Sequence, residues 1–126
     1  MAKILIIDDQ ECMRSIMTNM LESEGFEIQA AEDGEQALDL LSKADYDLIV
    51  SDVNLPRMDG FQFMRKARES HPSLPAIFAT GVLEETAKLG AESLGNSEVI
   101  FKPYNKEAIL EAIKRRLTPS NPTSLG

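Results

Sequence analysis

The sequence predicts a doubly wound α/β domain, a three-layer sandwich in which helices cover both faces of a five-stranded parallel sheet. Short apolar segments alternate five times with longer segments of helical periodicity along the chain. The 126 residues fit one domain, and 43% hydrophobic with 27% charged residues allow a buried core under a polar surface. Strands that alternate with helices favour parallel pairing, because each helix returns the chain to the starting edge of the sheet.

Five short segments, rich in β-branched or aromatic residues and bounded by polar, glycine or proline residues, predict the strands. They lie near Ile4–Ile7, Phe26–Ala30, Leu48–Ser51, Ala76–Ala79 and Val99–Phe101. The first, third and fourth are almost continuously apolar, which predicts central strands buried on both faces. The second alternates apolar and polar residues, which predicts an edge strand.

Apolar residues at helical spacing follow each strand and predict amphipathic helices. The clear stripes comprise Met13, Ile16, Met17, Met20 and Leu21, then Ala37, Leu38 and Leu41, then Phe61, Met64 and Ala67, and finally Ile109, Ala112, Ile113 and Leu117. The segment from Leu83 to Leu94 predicts a weaker fourth helix, because it contains Gly90 and glycine disfavours helix interiors.

Glycine and aspartate residues indicate where helices begin and end. Gly25 stands where a C-terminal cap belongs, Gly34 stands just ahead of the second helix, and Asp59 predicts the N-cap of the third. We expect the domain to occupy residues 1–117. Residues 118–126 contain two prolines without helical periodicity, which predicts a flexible C-terminal tail.

Charge and composition disfavour several classes of function. The 21 acidic residues exceed the 13 basic ones and give a net charge of −8, which repels a phosphate backbone and argues against direct nucleic-acid binding. No apolar segment approaches the roughly 18 residues of a membrane span, and no secretory signal is recognisable, so we expect a cytoplasmic protein without membrane contact. The lone Cys12 is expected to be partly buried, and His71 to be solvated.

Reactive polar residues follow four of the five predicted strands. Asp8 and Asp9 end the first strand, Asp52 the third, Thr80 the fourth and Lys102 the fifth. Because the carboxyl ends of parallel strands meet at one edge, we expect these side chains to lie together. Three neighbouring carboxylates repel one another unless a cation lies among them, and oxygen-only ligands favour Mg²⁺ or Mn²⁺.

The remaining residues at this edge suit a phosphoryl group. Lys102 supplies a compact positive charge, and the Thr80 hydroxyl can donate a hydrogen bond to a phosphoryl oxygen. Asp52 is best placed to accept the group as an aspartyl-phosphate, since phosphoryl transfer mainly needs positioning and charge neutralisation. The loop Asn54–Gly60 that follows could add a backbone carbonyl to the metal site.

The sequence closely resembles the receiver domain of two-component response regulators, the family that includes the stand-alone chemotaxis regulator. The matching motifs are Asp8-Asp9, the segment 52–60, Thr80-Gly81 and Lys102-Pro103, in this order, and the resemblance covers about residues 3–117. The resemblance implies a flavodoxin-like strand order of 2-1-3-4-5. It identifies residues 1–117 as the phosphoacceptor domain.

The resemblance also implies roles for the site residues. Asp52 accepts a phosphoryl group from a histidine kinase or histidine phosphotransfer protein. Asp9 and Asp52 bind Mg²⁺ directly with the backbone carbonyl of Asn54, and Asp8 binds mainly through water. Lys102 and Thr80 contact the phosphoryl group.

The implied function is a phosphorylation-activated signalling switch rather than a turnover enzyme, although the domain would catalyse its own phosphorylation and slow dephosphorylation. The face formed by the fourth helix, fifth strand and fifth helix would rearrange and bind a downstream protein. We expect a monomer or weak dimer. Family experience indicates that Asn54 and Val82 tune the lifetime of the phosphorylated state.

One position departs from the family pattern. Family members commonly carry an aromatic residue three positions before the lysine, and it swings inward on activation, but Val99 stands there in this chain. Activation is therefore expected to use Thr80 and the following loop, or another rearrangement of the fourth helix and fifth strand.

Three alternatives stay open at this stage. A small phosphatase with an aspartyl-phosphate intermediate would share the nucleophile, but those enzymes usually place an acid where Asn54 stands. A flavodoxin-like flavin binder would need hydroxyl or glycine donors in place of Asp8 and Asp9. The chain could also be the N-terminal receiver fragment of a longer response regulator.

Overall fold

The computed structural model describes residues 2–81, 84–102 and 105–117, with the backbone alone for residues 84–87. Strands and helices alternate throughout this part of the chain. The elements are β1 (Lys3–Ile7), α1 (Glu11–Glu22), β2 (Glu27–Ala31), α2 (Gly34–Lys43), β3 (Leu48–Asp52), α3 (Gly60–Ser70), β4 (Ala76–Thr80), α4 (Glu84–Leu94), β5 (Ser97–Phe101) and α5 (Lys106–Leu117). The tail 118–126 lies outside the described residues.

The five strands form one parallel sheet in the order β2-β1-β3-β4-β5. This order confirms the predicted topology, with β1, β3 and β4 in the centre. The predicted edge strand β2 is also confirmed, because Glu27 and Gln29 are exposed while Ile28 is partly buried. The register places Ile7 opposite Ser51, Asp52 opposite Ala79 and Thr80 opposite Phe101.

Alternate residues of each central strand pack into separate cores on the two faces of the sheet. Leu5 and Ile7 contribute to the core beneath α2, α3 and α4, whereas Ile4 and Ile6 contribute to the core beneath α1 and α5. This division follows from the two-residue period of a strand, which points successive side chains to opposite faces. The result is the predicted three-layer sandwich.

Helix ends follow local capping chemistry. Asp59 caps α3 as predicted, with its carboxylate accepting a hydrogen bond from the Gln62 N–H while the Gln62 side chain accepts one from the Asp59 N–H. Gly34, in contrast, is the first residue of α2 rather than a residue ahead of it, because the Asp33 carboxylate supplies the N-cap. Gly25 adopts a left-handed φ of 95°, which suits its place after the end of α1.

The limits of every strand differ from expectation by one or two residues, and the burial of two side chains differs as well. β2 begins at Glu27 rather than Phe26, and β5 begins at Ser97 because the ladder with β4 already pairs Ser97 with Ala76. Cys12 is exposed rather than partly buried. His71 ends α3 with its Nδ1 atom buried and without a hydrogen-bond partner, so it is not fully solvated.

A half-buried arginine on α3, Arg68, holds the connection between α4 and β5. The Arg68 Nη1 atom donates to the carbonyls of Leu94 and Gly95, each at 2.6 Å, and Nη2 donates to the Asn96 carbonyl at 2.9 Å. Its Nε atom also donates to the Leu74 carbonyl at 3.0 Å. Burial lowers the pKa of Arg68 from its usual range. The sequence analysis missed this residue, since an arginine at this position is usual on any amphipathic helix.

Candidate functional site

The three predicted aspartates converge at the carboxyl edge of the sheet. Asp8 and Asp9 follow β1, Asp52 ends the adjacent β3, and each can offer an oxygen so that the three atoms lie within 4.8 Å of one another. Asp8 is buried, Asp52 is partly buried and Asp9 is exposed. Carboxylate oxygens are the ligands that hard divalent cations prefer, so this donor set fits Mg²⁺ or Mn²⁺.

Backbone and side-chain contacts fix Asp8 at three points. Its N–H donates to the Ala31 carbonyl at 3.1 Å, its Oδ1 accepts from the Gln10 N–H at 2.9 Å, and its carbonyl accepts from Arg14 Nη1 at 2.7 Å. The sequence analysis missed Gln10 and Arg14. The position of Arg14 one turn into the first helix is the signal that could have found it.

Burial raises the pKa of the Asp8 carboxyl above its ordinary value near 3.8. The negative charges of Asp52 and Asp9 raise it further, whereas the hydrogen bond from the Gln10 N–H and the positive charge of Lys102 lower it. The protein's own groups therefore offset only part of the electrostatic repulsion among the three carboxylates. A divalent cation would remove the remainder.

The two carboxylate oxygens of Asp52 have different partners. Oδ1 accepts a hydrogen bond from the Asn54 N–H at 3.1 Å, and Oδ2 lies 3.1 Å from Lys102 Nζ. The Asp52 side chain is 11% exposed. Asp52 and Lys102 thus lie together at the strand ends, as their places in the sequence predicted.

Thr80 ends β4 between the aspartate and the lysine. The residue is fully buried, and its carbonyl accepts a hydrogen bond from the Lys102 N–H at 2.8 Å. Asp52 stands opposite Ala79, so Thr80 extends one residue beyond the phosphoacceptor candidate on the neighbouring strand. Pro103 and Val82, named in the sequence analysis, lie outside the described residues.

Close packing supports the backbone of Asp52. The Ser51 hydroxyl donates to the Asp52 carbonyl at 2.8 Å, and the Gly60 N–H donates to the Val53 carbonyl at 2.8 Å. A methyl group on Gly60 would lie 2.5 Å from the Asp52 carbonyl oxygen. Glycine is therefore required at the start of α3 for this helix to approach the end of β3.

An apolar groove opens beside the site, between α1 and the start of α5. Its volume is about 350 Å³, and its lining consists of Met13, Ile16, Met17, Met20, Lys102, Asn105 and Lys106. Ile16 is 55% exposed there. Lys106 closes one end through an ion pair with Glu24 at 2.8 Å. The groove thus joins an exposed apolar surface to the lysine that contacts Asp52.

Comparison with known sequences identifies the family. The profile of the response regulator receiver domain matches residues 4–114. The chain belongs to this receiver family. The match includes all five strands, except for Lys3 at the start of β1, and every site residue named above.

Among curated relatives, the regulatory protein VanRc of Enterococcus gallinarum is 34% identical over 115 residues, covering 91% of this chain and 49% of the relative. The transcriptional regulatory protein SrrA of Staphylococcus aureus is 34% identical over 123 residues, covering 98% of this chain and 51% of the relative. The chain therefore spans about half the length of the curated relatives it matches.

Solved structures agree with this assignment. The chemotaxis protein CheY4 of Vibrio cholerae has a TM-score of 0.87 and 34% identity, covering 93% of this chain and 99% of that chain. A two-component response regulator from Clostridium difficile has a TM-score of 0.88 and 29% identity, covering 96% and 99% respectively. The predicted flavodoxin-like fold and its strand order are confirmed.

Membership establishes the general function, which is that of a phosphorylation-dependent signalling switch. Receiver domains of this family bind Mg²⁺ at an acidic pocket, and the Asp8, Asp9 and Asp52 cluster is such a pocket. The general prediction of a phosphoacceptor switch is thereby confirmed. Within the described ranges, no helix combines the length and apolarity needed to cross a membrane.

Proposed function

We propose that Asp52 is the phosphoacceptor of this switch and receives its phosphoryl group from a histidine kinase or a histidine phosphotransfer protein. The observation that carries the proposal is the position of the Asp52 carboxylate, which lies between the acidic pair Asp8 and Asp9 and the ammonium group of Lys102. Within the cluster of three, Asp52 is the carboxylate paired with Lys102 at 3.1 Å.

The transfer forms one bond and breaks one. An Asp52 oxygen attacks phosphorus, the bond from phosphorus to the donor imidazole nitrogen breaks, and the nitrogen keeps the electron pair. The ammonium group of Lys102 moves from the Asp52 oxygen to a phosphoryl oxygen, and the Thr80 hydroxyl donates to another. These contacts stabilise negative charge on the transferred group and explain why both residues stand at this edge.

Asp9, Asp52 and the Asn54 carbonyl would hold Mg²⁺ or Mn²⁺, with Asp8 acting mainly through water. When bound, this cation neutralises charge on the phosphoryl oxygens. Asp8 is already held in position, because Arg14 and Ala31 anchor its backbone and its carboxylate accepts a hydrogen bond from the Gln10 N–H.

The same residues serve dephosphorylation. A water that attacks phosphorus releases phosphate and returns the bonding electron pair to the Asp52 oxygen, and Lys102 stabilises that charge as well. The protein is thus a switch with slow self-catalysed reset. A phosphatase would also need a general acid, yet the position two residues after Asp52 is Asn54.

Two surfaces of the protein are suited to bind two different partner proteins. The apolar groove beside Lys102 accepts a helix of the phosphodonor, because any donor must bring its phosphoryl group to the same edge. The face of α4, β5 and α5 binds the downstream protein. It exposes Leu89 and carries the partly buried Glu98, which pairs with Arg115 at 2.5 Å. The chain acts as a monomer or weak dimer, either alone or as the receiver of a longer regulator.

Intact mass spectrometry after incubation with acetyl phosphate tests the acceptor assignment. We expect one phosphoryl adduct on the wild type that requires Mg²⁺, and none on Asp52→Asn. An Asp59→Asn variant is the matched control, since Asp59 caps α3 and lies outside the cluster. An equal adduct on Asp52→Asn would refute the proposal, and continuous turnover of acetyl phosphate at a high rate would favour the phosphatase.

A further inference from the structure

We infer that Phe61 couples the phosphoacceptor site to α4 through a notch at Gly90. The inference rests on the proposed role of Asp52 and adds the route by which its state reaches the partner-binding face. Phe61 is the second residue of α3 and directly follows Gly60, which packs against the Asp52 carbonyl.

The contact between Phe61 and α4 is unusually close. A methyl group placed on Gly90 would lie 2.5 Å, 2.6 Å and 2.8 Å from three carbon atoms of the Phe61 ring. The absence of a side chain on Gly90 therefore creates the space that the ring edge occupies. The flanking residues Leu89 and Ala91 both carry a Cβ atom, so α4 cannot rotate over the ring by one residue without a clash.

The contact with Phe61 explains why α4 has a glycine at position 90, although glycine is unfavourable inside a helix. Gly90 lies in the interior of α4, where glycine destabilises a helix relative to alanine. Phe61 is only 8% exposed and packs at an edge-to-face angle on Phe78, with ring centroids 4.7 Å apart. Burial of the ring between α4 and β4 offsets the weak helix propensity.

Phe61 consequently connects the two strands that carry Asp52 and Thr80. On one side its neighbour Gly60 adjoins Asp52 at the end of β3, and on the other its ring packs on Phe78, two residues before Thr80 in β4. Val99 stands opposite Phe78 on β5. A shift at either strand end must move the ring or the helix that rests on it.

Hydrogen–deuterium exchange tests the inference on the whole chain. The phosphoryl mimic beryllofluoride, added with Mg²⁺, is expected to change amide exchange across residues 84–94 in the wild type. In Phe61→Leu the mimic still binds, as followed by ¹⁹F NMR, but the change in α4 exchange falls about fivefold or more. Phe26→Leu is the matched control, because Phe26 packs against the other core and should leave the response intact.

A full α4 response in Phe61→Leu with the mimic bound would overturn the inference and leave the proposed function standing. A wild type that neither binds the mimic nor forms an aspartyl-phosphate would instead overturn both. Gly90→Ala provides a second variant if Phe61→Leu fails to fold. Its methyl group should change α4 exchange before any mimic is added, and a wild-type response in Gly90→Ala would equally refute the coupling.

Discussion

At the scale of single residues, the site is defined by how its acidic side chains are anchored. Asp8 is held through its amide, its carbonyl and one carboxylate oxygen, whereas Asp52 divides its two oxygens between the Asn54 N–H and Lys102. Such anchoring keeps mutually repelling carboxylates together in the absence of a cation. The folded protein therefore contains a cluster of mutually repelling carboxylates that lowers its stability, and cation binding relieves this repulsion.

Asp8→Asn is expected to stabilise the protein at neutral pH without divalent cations, by an amount in the ~0.5–3 kcal/mol range of ordinary single substitutions. Because burial raises the pKa of Asp8, its carboxyl loses its proton at a higher pH in the folded state than in the unfolded state. The stability of the wild type therefore falls as the pH rises through the pKa of the folded state. Urea denaturation between pH 3 and pH 8 measures this effect.

The difference between Asp8→Asn and the wild type should vanish below the ordinary carboxyl pKa near 3.8, where Asp8 is protonated in both states. Adding Mg²⁺ should stabilise the wild type more than the variant. Asp45→Asn, an exposed acid outside the cluster, controls for the loss of one charge. An Asp8→Asn variant less stable than the wild type at pH 7 would show that burial is not the dominant influence on this carboxyl.

Gly60→Ala is expected to destabilise the fold by about 1–3 kcal/mol and to slow phosphorylation by acetyl phosphate, because its methyl group would lie 2.5 Å from the Asp52 carbonyl. Gly34→Ala is a matched control. Both glycines are the first residue of a helix after an aspartate N-cap, but a methyl group on Gly34 would crowd only the flexible end of Met58, at 3.0 Å, and would lie at an ordinary 3.6 Å from the Phe63 Cβ atom. Equal effects of the two substitutions on thermal unfolding would contradict this account.

At the scale of elements, the connection between α4 and β5 depends on one arginine of α3. The guanidinium of Arg68 satisfies carbonyls at the C-terminal end of α4, which a helix leaves without partners of its own. It thereby fixes the end of α4 that lies away from Asp52. The opposite end of α4 follows Thr80 and Gly81 in the chain and is therefore the end nearer to the site.

Arg68→Lys is expected to destabilise the protein by about 2 kcal/mol, because lysine cannot reproduce the fork of donors and leaves partly buried carbonyls unpaired. Amide exchange around residues 94–97 should accelerate. Arg65→Lys on the exposed face of the same helix is the control. Wild-type stability in Arg68→Lys would mean that water replaces the guanidinium without loss.

Ile16→Glu is expected to slow phosphotransfer from a histidine kinase by about tenfold while leaving phosphorylation by acetyl phosphate unchanged. The charge would lie in the apolar groove beside Lys102, where only a protein donor needs to pack. The kinase used in this test is the one that phosphorylates the wild type fastest among a panel of histidine kinases. Leu89→Glu, which changes an exposed leucine on α4, is the control, and equal slowing in both variants would argue against groove docking.

At the scale of the whole molecule, the sequence predicted the sheet and the site together, because both follow from a repeated strand and helix. Asp8, Asp9, Asp52, Thr80 and Lys102 were found from their places at strand ends, and parallel pairing brings strand ends to one edge. Strand limits were less exact, since the ladder rather than local composition sets where β5 begins.

Other features depend on contacts between residues that are distant in the sequence, and such contacts leave no pattern in the local sequence. Arg68 bonds residues 26 to 28 positions later in the chain, and Phe61 meets a glycine on the next helix. Neither contact produces a periodicity or a motif. The prediction that Cys12 is partly buried was wrong for the same reason. The sequence of a helix does not show which side of its first turn packs against the rest of the protein.

The most direct test of the central claim is to locate the phosphoryl group itself. Borohydride reduces an acyl phosphate to an alcohol, so the chain phosphorylated with Mg²⁺ and acetyl phosphate is reduced, digested and sequenced by tandem mass spectrometry. Our account predicts the reduced side chain at Asp52 alone. Reduction at Asp8, Asp9 or any other acid with Asp52 unmodified would contradict it.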